Sequence, residues 1–263
     1  ERLGANAATV NLPIGIEHNL RGVVDLVKMK AFTYKSIDDN SLTEEEIPAD
    51  LVEKAQSARS ELVERVAEFD DGALSKYLEG QELEEADLKS AIRKGVVAGK
   101  FFPILGGDNR SATVQLLLDA VVDYLPSPID LPSVEGVNPK TSEKELRERK
   151  NDAPLSALAF KVVTDPHVGR LVYVRIYSGK LKSGTEVYNS TRQRSERIGK
   201  IVLLHADQRE LIEEAFAGEI VAAVGVKETT TGDTICDSGN PIVLESINFP
   251  EPVISLAIEP ATK

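Results

Sequence analysis

The sequence has a single cysteine, Cys236, and no apolar run that approaches the roughly 18 residues of a membrane span. One cysteine excludes an internal disulfide and is typical of a reducing compartment. We therefore expect a cytoplasmic protein in which Cys236 is a small buried residue at a strand end. The first residues, ERLGANAATV, contain neither an apolar signal-peptide core nor an initiator methionine, which favours a fragment that begins inside a longer protein.

Several motifs that bind nucleotides or metals are also missing. The sequence contains no GxxxxGK[ST] phosphate loop, no DxxG and no NKxD. Its three histidines, His18, His167 and His205, are far apart, and none lies in an HExxH setting, so no metal site is expected. The chain alone is therefore not expected to hydrolyse a nucleoside triphosphate.

The composition is that of an ordinary globular protein with an uneven charge distribution. With 263 residues, the chain is long enough for two domains with separate cores. It is 41% hydrophobic and 28% charged, as is usual for a globular protein. The net charge is −12, but Glu44 to Lys89 carries 15 acidic and 5 basic residues, whereas Asp165 to Lys200 carries 3 acidic and 8 basic residues. We expect these two regions to face different partners, if they face partners at all.

The first half of the sequence has the pattern of an α/β unit. Ala5 to Ile16 and Gly22 to Tyr34 are predicted to be strands, separated by a turn, and the acidic residues Glu44 to Glu46 favour a helix start near Pro48. Apolar spacing predicts a strand at Phe101 to Leu105 and helices at Leu51 to Phe69, Ala73 to Leu78, Ala86 to Val97 and Val114 to Leu125. Gly80 and Gly99 are expected to end the second and third helices. A strand followed by an amphipathic helix is typical of a parallel-sheet edge.

The second half has the pattern of an all-β unit. Ser133 to Asp152 is rich in charge and is predicted to be a linker or mobile loop. From Leu171 to Tyr177 apolar residues alternate with polar and aromatic ones, and Glu219 to Val226 is a nearly unbroken apolar run. Glycine turns separate these short strands, so we predict a closed or nearly closed β-barrel.

Seven segments of the sequence carry a family resemblance. The barrel contains TDPHVGRLVYVRIYSGKLKSG, RIGKI and AAVGVKETTTGDTICD; upstream lie RLGANAATVNLPIG, GVVDLVKMKAF and LLLDAVVDYLPSPIDLP, and downstream lies FPEPVISLAIEPATK. These segments resemble bacterial elongation factor G, the translocating GTPase of the ribosome. The upstream segments are similar to the end of that factor's G domain and the downstream segment to the start of its third domain, so the similarity is collinear over almost the whole chain.

The resemblance implies a fold class and a domain plan. The fold is expected to be multidomain, α/β plus all-β: a partial G domain with a helical insert, followed by a translation-factor β-barrel. The expected ranges are 1–130 for the G-domain part, with the insert at about 43–98, then 131–153 for a linker, 154–248 for the barrel and 249–263 for the start of the third domain. The implied parent is a GTPase that uses GTP and Mg²⁺ and moves transfer and messenger RNA on the ribosome. This piece is expected to bind no cofactor itself and to be a monomer that makes no membrane contact.

One nucleotide-contacting turn of the family aligns with Gly106, Gly107 and Asp108, where only the first glycine agrees with the family's Gly-Ser-Ala. The resemblance implies that the Asp108 amide faces guanine, whereas a polar turn is the simpler interpretation. The acidic insert is implied to meet a ribosomal stalk protein; a solvated amphipathic bundle is the alternative.

The resemblance implies that the barrel contacts small-subunit ribosomal RNA. The candidate contacts are basic residues: Arg170, Arg175, Lys180, Lys182, Arg192, Arg194, Arg197 and Lys200. We predict that Arg192, Arg194 and Arg197 lie in a polar loop that leads into the strand from Ile198 to Leu204. Clustered guanidinium groups can bind phosphates through paired hydrogen bonds, and they contact a nucleic-acid backbone without reading base sequence. A solvated strand face is the alternative. The segment Thr229 to Asp233 is predicted to be a loop that hydrogen-bonds itself and in which Gly232 takes positive φ.

The sequence leaves two other functions open. A ribosomal-protection or peptide-release GTPase shares the barrel, and Gly107-Asp108 leaves such a specialised paralogue open. A free-standing β-barrel binding module with an acidic helical appendage is a different class, against which both ends of the sequence argue, because each resembles continuing structure.

Overall fold

The computed structural model describes residues 4–36, 38, 40–165, 169–206, 208–244, 254 and 256. The chain divides into two compact units, which we call unit 1 (Glu1–Leu131) and unit 2 (Pro132–Lys263). None of the helices in the described ranges is long and apolar enough to cross a membrane. The predicted start of a third domain, 249–263, lies outside the described residues except for Ile254 and Leu256.

The strands of unit 1 form two small sheets. They are β1 (Ala7–Thr9), β2 (Asn11–Ile14), β3 (Gly22–Asp25), β4 (Lys30–Thr33), β5 (Thr43–Glu45) and β6 (Phe102–Ile104). β1 pairs with β6 in parallel, as predicted for a parallel-sheet edge, and β2 to β5 form an antiparallel sheet in sequence order. Each long predicted strand is therefore two strands. The second is interrupted by a turn in which Met29 takes a φ of 53°, a conformation that alternation of side chains does not reveal.

The helices of unit 1 lie close to their predicted positions. They are α1 (Val52–Val66), α2 (Asp71–Leu78), α3 (Glu85–Val97) and α4 (Thr113–Tyr124), with short 3-10 turns at Glu17–Asn19, Ala67–Phe69 and Pro128–Asp130. Gly80 and Gly99 follow α2 and α3 with φ of 71° and 66°, as predicted for helix ends. The first helix begins at Val52, four residues after the start predicted at Pro48. Glu44 and Glu45 lie before it in the edge strand β5, paired with β4, where one strand neighbour suffices and acidic side chains stay in water.

The core of unit 1 forms where the helices pack on the small sheets. Leu62 of α1 and Leu88 and Ile92 of α3 are fully buried with Phe101. Each such side chain stabilises the fold by about 1.5–3 kcal/mol relative to an exposed one. Gly95 allows α3 to approach closely, because a Cβ there would lie 2.6 Å from the Phe69 ring.

Unit 2 is almost entirely β structure. Its described strands are β7 (Val134–Val137), β8 (Lys144–Arg147), β9 (Ser156–Asp165), β10 (Gly169–Ser178), β11 (Lys180–Lys182), β12 (Glu186–Asn189), β13 (Arg194–Arg197), β14 (Lys200–His205), β15 (Gln208–Ile212), β16 (Glu214–Phe216), β17 (Ile220–Val224) and β18 (Thr234–Cys236). Eight of them form one sheet in the order β13-β12-β18-β9-β10-β17-β14-β15, and β11 pairs with β16.

The predicted barrel pattern is confirmed. Val172, Val174 and Ile176 of β10 point into a core shared with Val221 of β17, and all four are at most 1% exposed. Cys236 is buried and free at the end of β18, as predicted. Burial raises the pKa of its thiol above the ordinary value.

The predicted linker at Ser133 to Asp152 is wrong in its local structure. β7 and β8 form an antiparallel hairpin, and Val137 exchanges two backbone hydrogen bonds of 2.8 Å with Val243. Gly136 makes this contact possible, because a Cβ there would lie 2.5 Å from Ile242 Cγ1. The sequence does not reveal the hairpin, because two four-residue strands with many charges show no clear alternation.

Candidate functional site

The turn after β6 is closed by its own hydrogen bonds. Asn11 donates from Nδ2 to the Gly106 carbonyl at 2.9 Å and accepts from the Gly106 amide at 2.8 Å. The Asp108 amide, implied by resemblance to face guanine, donates to Thr113 Oγ1 at 3.1 Å. A base at this position would have to share that donor.

The Asp108 side chain is also engaged. Its carboxylate accepts from the Arg110 amide at 2.9 Å and lies 3.3 Å from the Arg110 guanidinium, and these contacts lower the pKa of Asp108. A cavity of about 240 Å³ lies beside the turn, lined partly by Gly106, Gly107 and Asp108. The guanine contact stays a prediction.

The residues of this chain do not by themselves fit GTP and Mg²⁺. The phosphate loop and both partner motifs are missing from the sequence, and the described residues contain no group of three or more His, Cys, Asp or Glu side chains that could hold a metal ion. His167, one of the three histidines, lies outside the described residues.

The loop from Lys227 to Asp233 is held by two of the candidate arginines. Arg170 donates to the Lys227 carbonyl and, at 2.6 Å, to the Thr229 carbonyl. Arg192 binds the Asp233 carboxylate at 2.6 Å and Thr230 Oγ1 at 2.5 Å. These guanidinium groups are directed at the protein's own backbone and carboxylate, which leaves them fewer donors for a phosphate.

A buried polar network completes this loop. Asn189 is fully buried and donates to Thr229 Oγ1 at 3.1 Å and to Asp233 at 3.0 Å. Asp233 also accepts from the Thr230 amide at 2.8 Å, and Gly232 has a φ of 93°, so the predicted self-bonded loop is confirmed.

Glu196 of β13 fixes the other end of the loop. It accepts from the amides of Lys227 and Glu228 at 2.7 Å and from the Thr229 hydroxyl. Burial acts to raise the pKa of Glu196, but these hydrogen bonds outweigh it and lower that pKa. No sequence pattern points to this role, because it depends on pairing between distant segments.

The predicted arginine loop at Arg192 to Arg197 is instead mostly strand. Arg194 and Arg197 begin and end β13, which pairs with β12, so alternation directs their side chains to opposite faces. Arg194 lies 3.5 Å from Glu228, and Arg197 donates to the Gly184 carbonyl at 3.0 Å. The prediction failed because the six residues from Arg192 to Arg197, four of them charged, show no apolar face.

The remaining candidate basic residues are dispersed. Lys180 and Lys200 are exposed, and Lys182 pairs with Glu214 at 3.0 Å. Arg175 stacks over Tyr177, with its guanidinium carbon 5.4 Å from the ring centroid. The eight residues therefore do not form one patch; Arg170, Arg192 and Arg194 meet at the 227–233 loop, and RNA contact stays a prediction for all eight.

The acidic insert presents most of its charge to solvent. Thirteen of the fifteen acidic residues between Glu44 and Lys89 are exposed. The other two are structural: Asp87 binds Lys76 at 2.7 Å, and Asp70 binds Lys94 at 2.5 Å.

Comparison with known proteins identifies the barrel. Residues 169–236 match the family described as elongation factor Tu domain 2. This part of unit 2 is therefore similar to the β-barrel domain of translation factors.

A solved structure extends the similarity to both units. The crystal structure of ttk003000868 from Thermus thermophilus matches 96% of the chain with a TM-score of 0.72 and 26% sequence identity. The chain spans 35% of the length of that protein. The translation-factor barrel is therefore accompanied by an N-terminal unit that also has a counterpart in a known structure.

Proposed function

We propose that the chain is the central part of a translational GTPase of the elongation factor G type. It comprises the end of the G domain with its insert, the barrel as domain II and the first residues of domain III. Its contribution is ribosome docking and coupling between domains during GTP-dependent movement of transfer and messenger RNA. The observation that carries the proposal is the match of residues 169–236 to elongation factor Tu domain 2.

The small parallel sheet of unit 1 supports the proposal that unit 1 is part of a larger α/β domain. Parallel sheets are normally covered on both faces and contain more than two strands. Here β1 and β6 form a two-stranded parallel sheet in which Phe102 and Ile104 are about half exposed, at 52% and 50%. The phosphate loop and Mg²⁺ ligands would come from the rest of that domain.

Two surfaces suit the proposed partners. The exposed basic side chains of Arg197 and Lys200 suit phosphates of small-subunit ribosomal RNA. The exposed carboxylates of the insert suit a basic stalk protein, for which they would raise the association rate more than the affinity.

The RNA contact is tested by removing charge while Arg170 and Arg192, which hold the 227–233 loop, are left in place. A variant with Arg194→Ala, Arg197→Ala and Lys200→Ala should bind small ribosomal subunits more weakly in sedimentation assays. The slope of log affinity against log salt should fall by roughly 0.7–0.9 for each phosphate that the variant no longer neutralises. The control replaces Lys140, Lys144 and Lys150 with alanine, which removes the same charge from exposed positions of unit 2. Equal affinities for variant and wild type across the salt series would refute the contact.

A further inference from the structure

We propose that Arg147, Arg149 and Arg175 form an anion site around Tyr177 that takes a phosphate group. The site lies where the β7–β8 hairpin meets the outer face of β10, apart from the 227–233 loop. The guanidinium groups of Arg149 and Arg175 lie over the Tyr177 ring, and Arg147 lies opposite Val134, which packs on the same small core as that ring. Each of the three arginines carries a buried nitrogen that has no hydrogen-bond partner among the described residues.

The hairpin directs Arg147 towards the barrel. Arg147 pairs with Val134 across the hairpin, and residues directly opposite each other lie on the same face. Val134 packs against the small core of Cys236, Ile242 and Leu244, which Tyr177 also contacts. The Arg147 side chain is accordingly only 11% exposed.

Arg149 and Arg175 reach the Tyr177 ring itself. Their guanidinium carbons lie 5.3 Å and 5.4 Å from the ring centroid, within the range of cation–π attraction. Arg149 is oriented further by donating from Nε to the Pro132 carbonyl at 2.9 Å. Arg175 and Tyr177 are alternate residues of β10, so they share the outer face of that strand.

Each of the three arginines has one nitrogen donor without a hydrogen-bond partner among the described residues. These are Nε of Arg147, Nη1 of Arg149 and Nε of Arg175, all buried without an acceptor in the described structure. Buried donors are normally paired, and a charged donor that loses water without gaining an acceptor is costly. An anion would supply the missing acceptors.

The charge and geometry suit phosphate better than a monovalent carboxylate. Glu145 pairs with Arg147 at 2.8 Å, so three arginines and one glutamate leave a charge of about +2. The other donors of Arg147 are occupied by the carbonyls of Leu146 and Asn240. A phosphate offers several oxygens to separate guanidinium groups, which bind it with strong charge-assisted hydrogen bonds.

Arginine side-chain NMR on the whole 263-residue chain tests the site directly. Inorganic phosphate is titrated at constant ionic strength against chloride while the Nε–H resonances of Arg147 and Arg175 are followed. We expect both resonances to shift and saturate with one dissociation constant. Absent or non-saturating shifts in the wild-type protein would overturn the proposal without any need for a variant.

Variants then assign the binding to the three arginines. Arg149→Gln removes one fork and should weaken phosphate binding by about tenfold or more, and Arg149→Lys should recover part of it because the charge returns. Arg209→Gln, a control on β15 whose arginine pairs with Asp165, should leave binding unchanged. Equal loss in the control and in Arg149→Gln would count against the site.

A second titration with a single-stranded RNA octamer identifies the source of the phosphate. Shifts of the same two resonances, weakened by Arg149→Gln, support the site and assign it to an RNA backbone. Saturation by inorganic phosphate alone supports a site for a free phosphate group. Neither titration contains ribosomes. A failure of the phosphate site can therefore be told apart from a failure of ribosome docking.

Discussion

The two units differ in the side chains that lie on the outer face of their secondary structure. In unit 2, the polar network of Asn189, Asp233 and Glu196 ties a loop onto a well-filled barrel. In unit 1, α4 buries Ala120 and Tyr124 but exposes a row of large apolar residues: Leu117, Leu118, Val121, Val122 and Leu125. An apolar face this continuous usually marks an interaction surface. The polar loop of unit 2 is thus held by contacts within that unit, whereas α4 of unit 1 presents an apolar face suited to further packing.

The first prediction concerns the packed interior of the barrel, where a substitution should cost the most stability. Ile176→Ala removes a fully buried side chain from the barrel core and should lower the free energy of unfolding by about 2–5 kcal/mol. Urea denaturation followed by circular dichroism measures the loss in the transition of unit 2.

The neighbouring strand offers the matched control. Ile220 is 49% exposed, so Ile220→Ala should cost less than about half as much. Similar costs for the two variants would mean that the barrel interior is not packed as described.

The next effect concerns a single carboxylate of unit 1 and is smaller. Asp70 caps α2 by accepting from the amides of Gly72 and Ala73 at 2.9 and 3.2 Å. The hydrogen bond from Lys94, followed by that from Ser90, holds the pKa of Asp70 well below its ordinary value. Asp70→Ala should therefore cost about 0.5–2 kcal/mol at pH 7.

The pH dependence of this cost has a definite sign. A lowered pKa in the folded state stabilises the protein above the unfolded-state value of about 3.9, and this stabilisation is lost as pH falls towards the folded-state value. The gap between wild type and Asp70→Ala should accordingly narrow below about pH 4. Asp71→Ala, from the same helix turn, serves as the control; a gap that persists unchanged at about pH 2 would exclude the ion pair and cap as its cause.

The sequence predicted the elements whose apolar spacing is long or strict. The five turns from Leu51 to Phe69 and the alternation in β10 each repeat often enough to outweigh exceptions. Both appear in the structure at nearly the predicted bounds. Resemblance added the barrel type, which residues 169–236 bear out.

The sequence could not predict features that depend on partners far along the chain. The β7–β8 hairpin gains its place from Ile242 and Val243, which are distant in sequence. Likewise, Arg170 and Arg192 looked like free basic residues until the 227–233 loop supplied their acceptors. Charge content predicts which side chains prefer water, but it does not reveal which acceptors the fold brings within reach.

The smallest expected effect tests the exposed face of unit 1. Leu118 of α4 is 59% exposed, and leucine and glutamine have similar helix propensities, so Leu118→Gln should change the free energy of unfolding by less than about 0.5 kcal/mol. The same change at Leu62, which is fully buried in α1, should cost several times more. Urea denaturation followed by circular dichroism measures both costs. If Leu118→Gln instead destabilises the isolated chain as strongly as Leu62→Gln, α4 is already covered and the contrast between the two units fails.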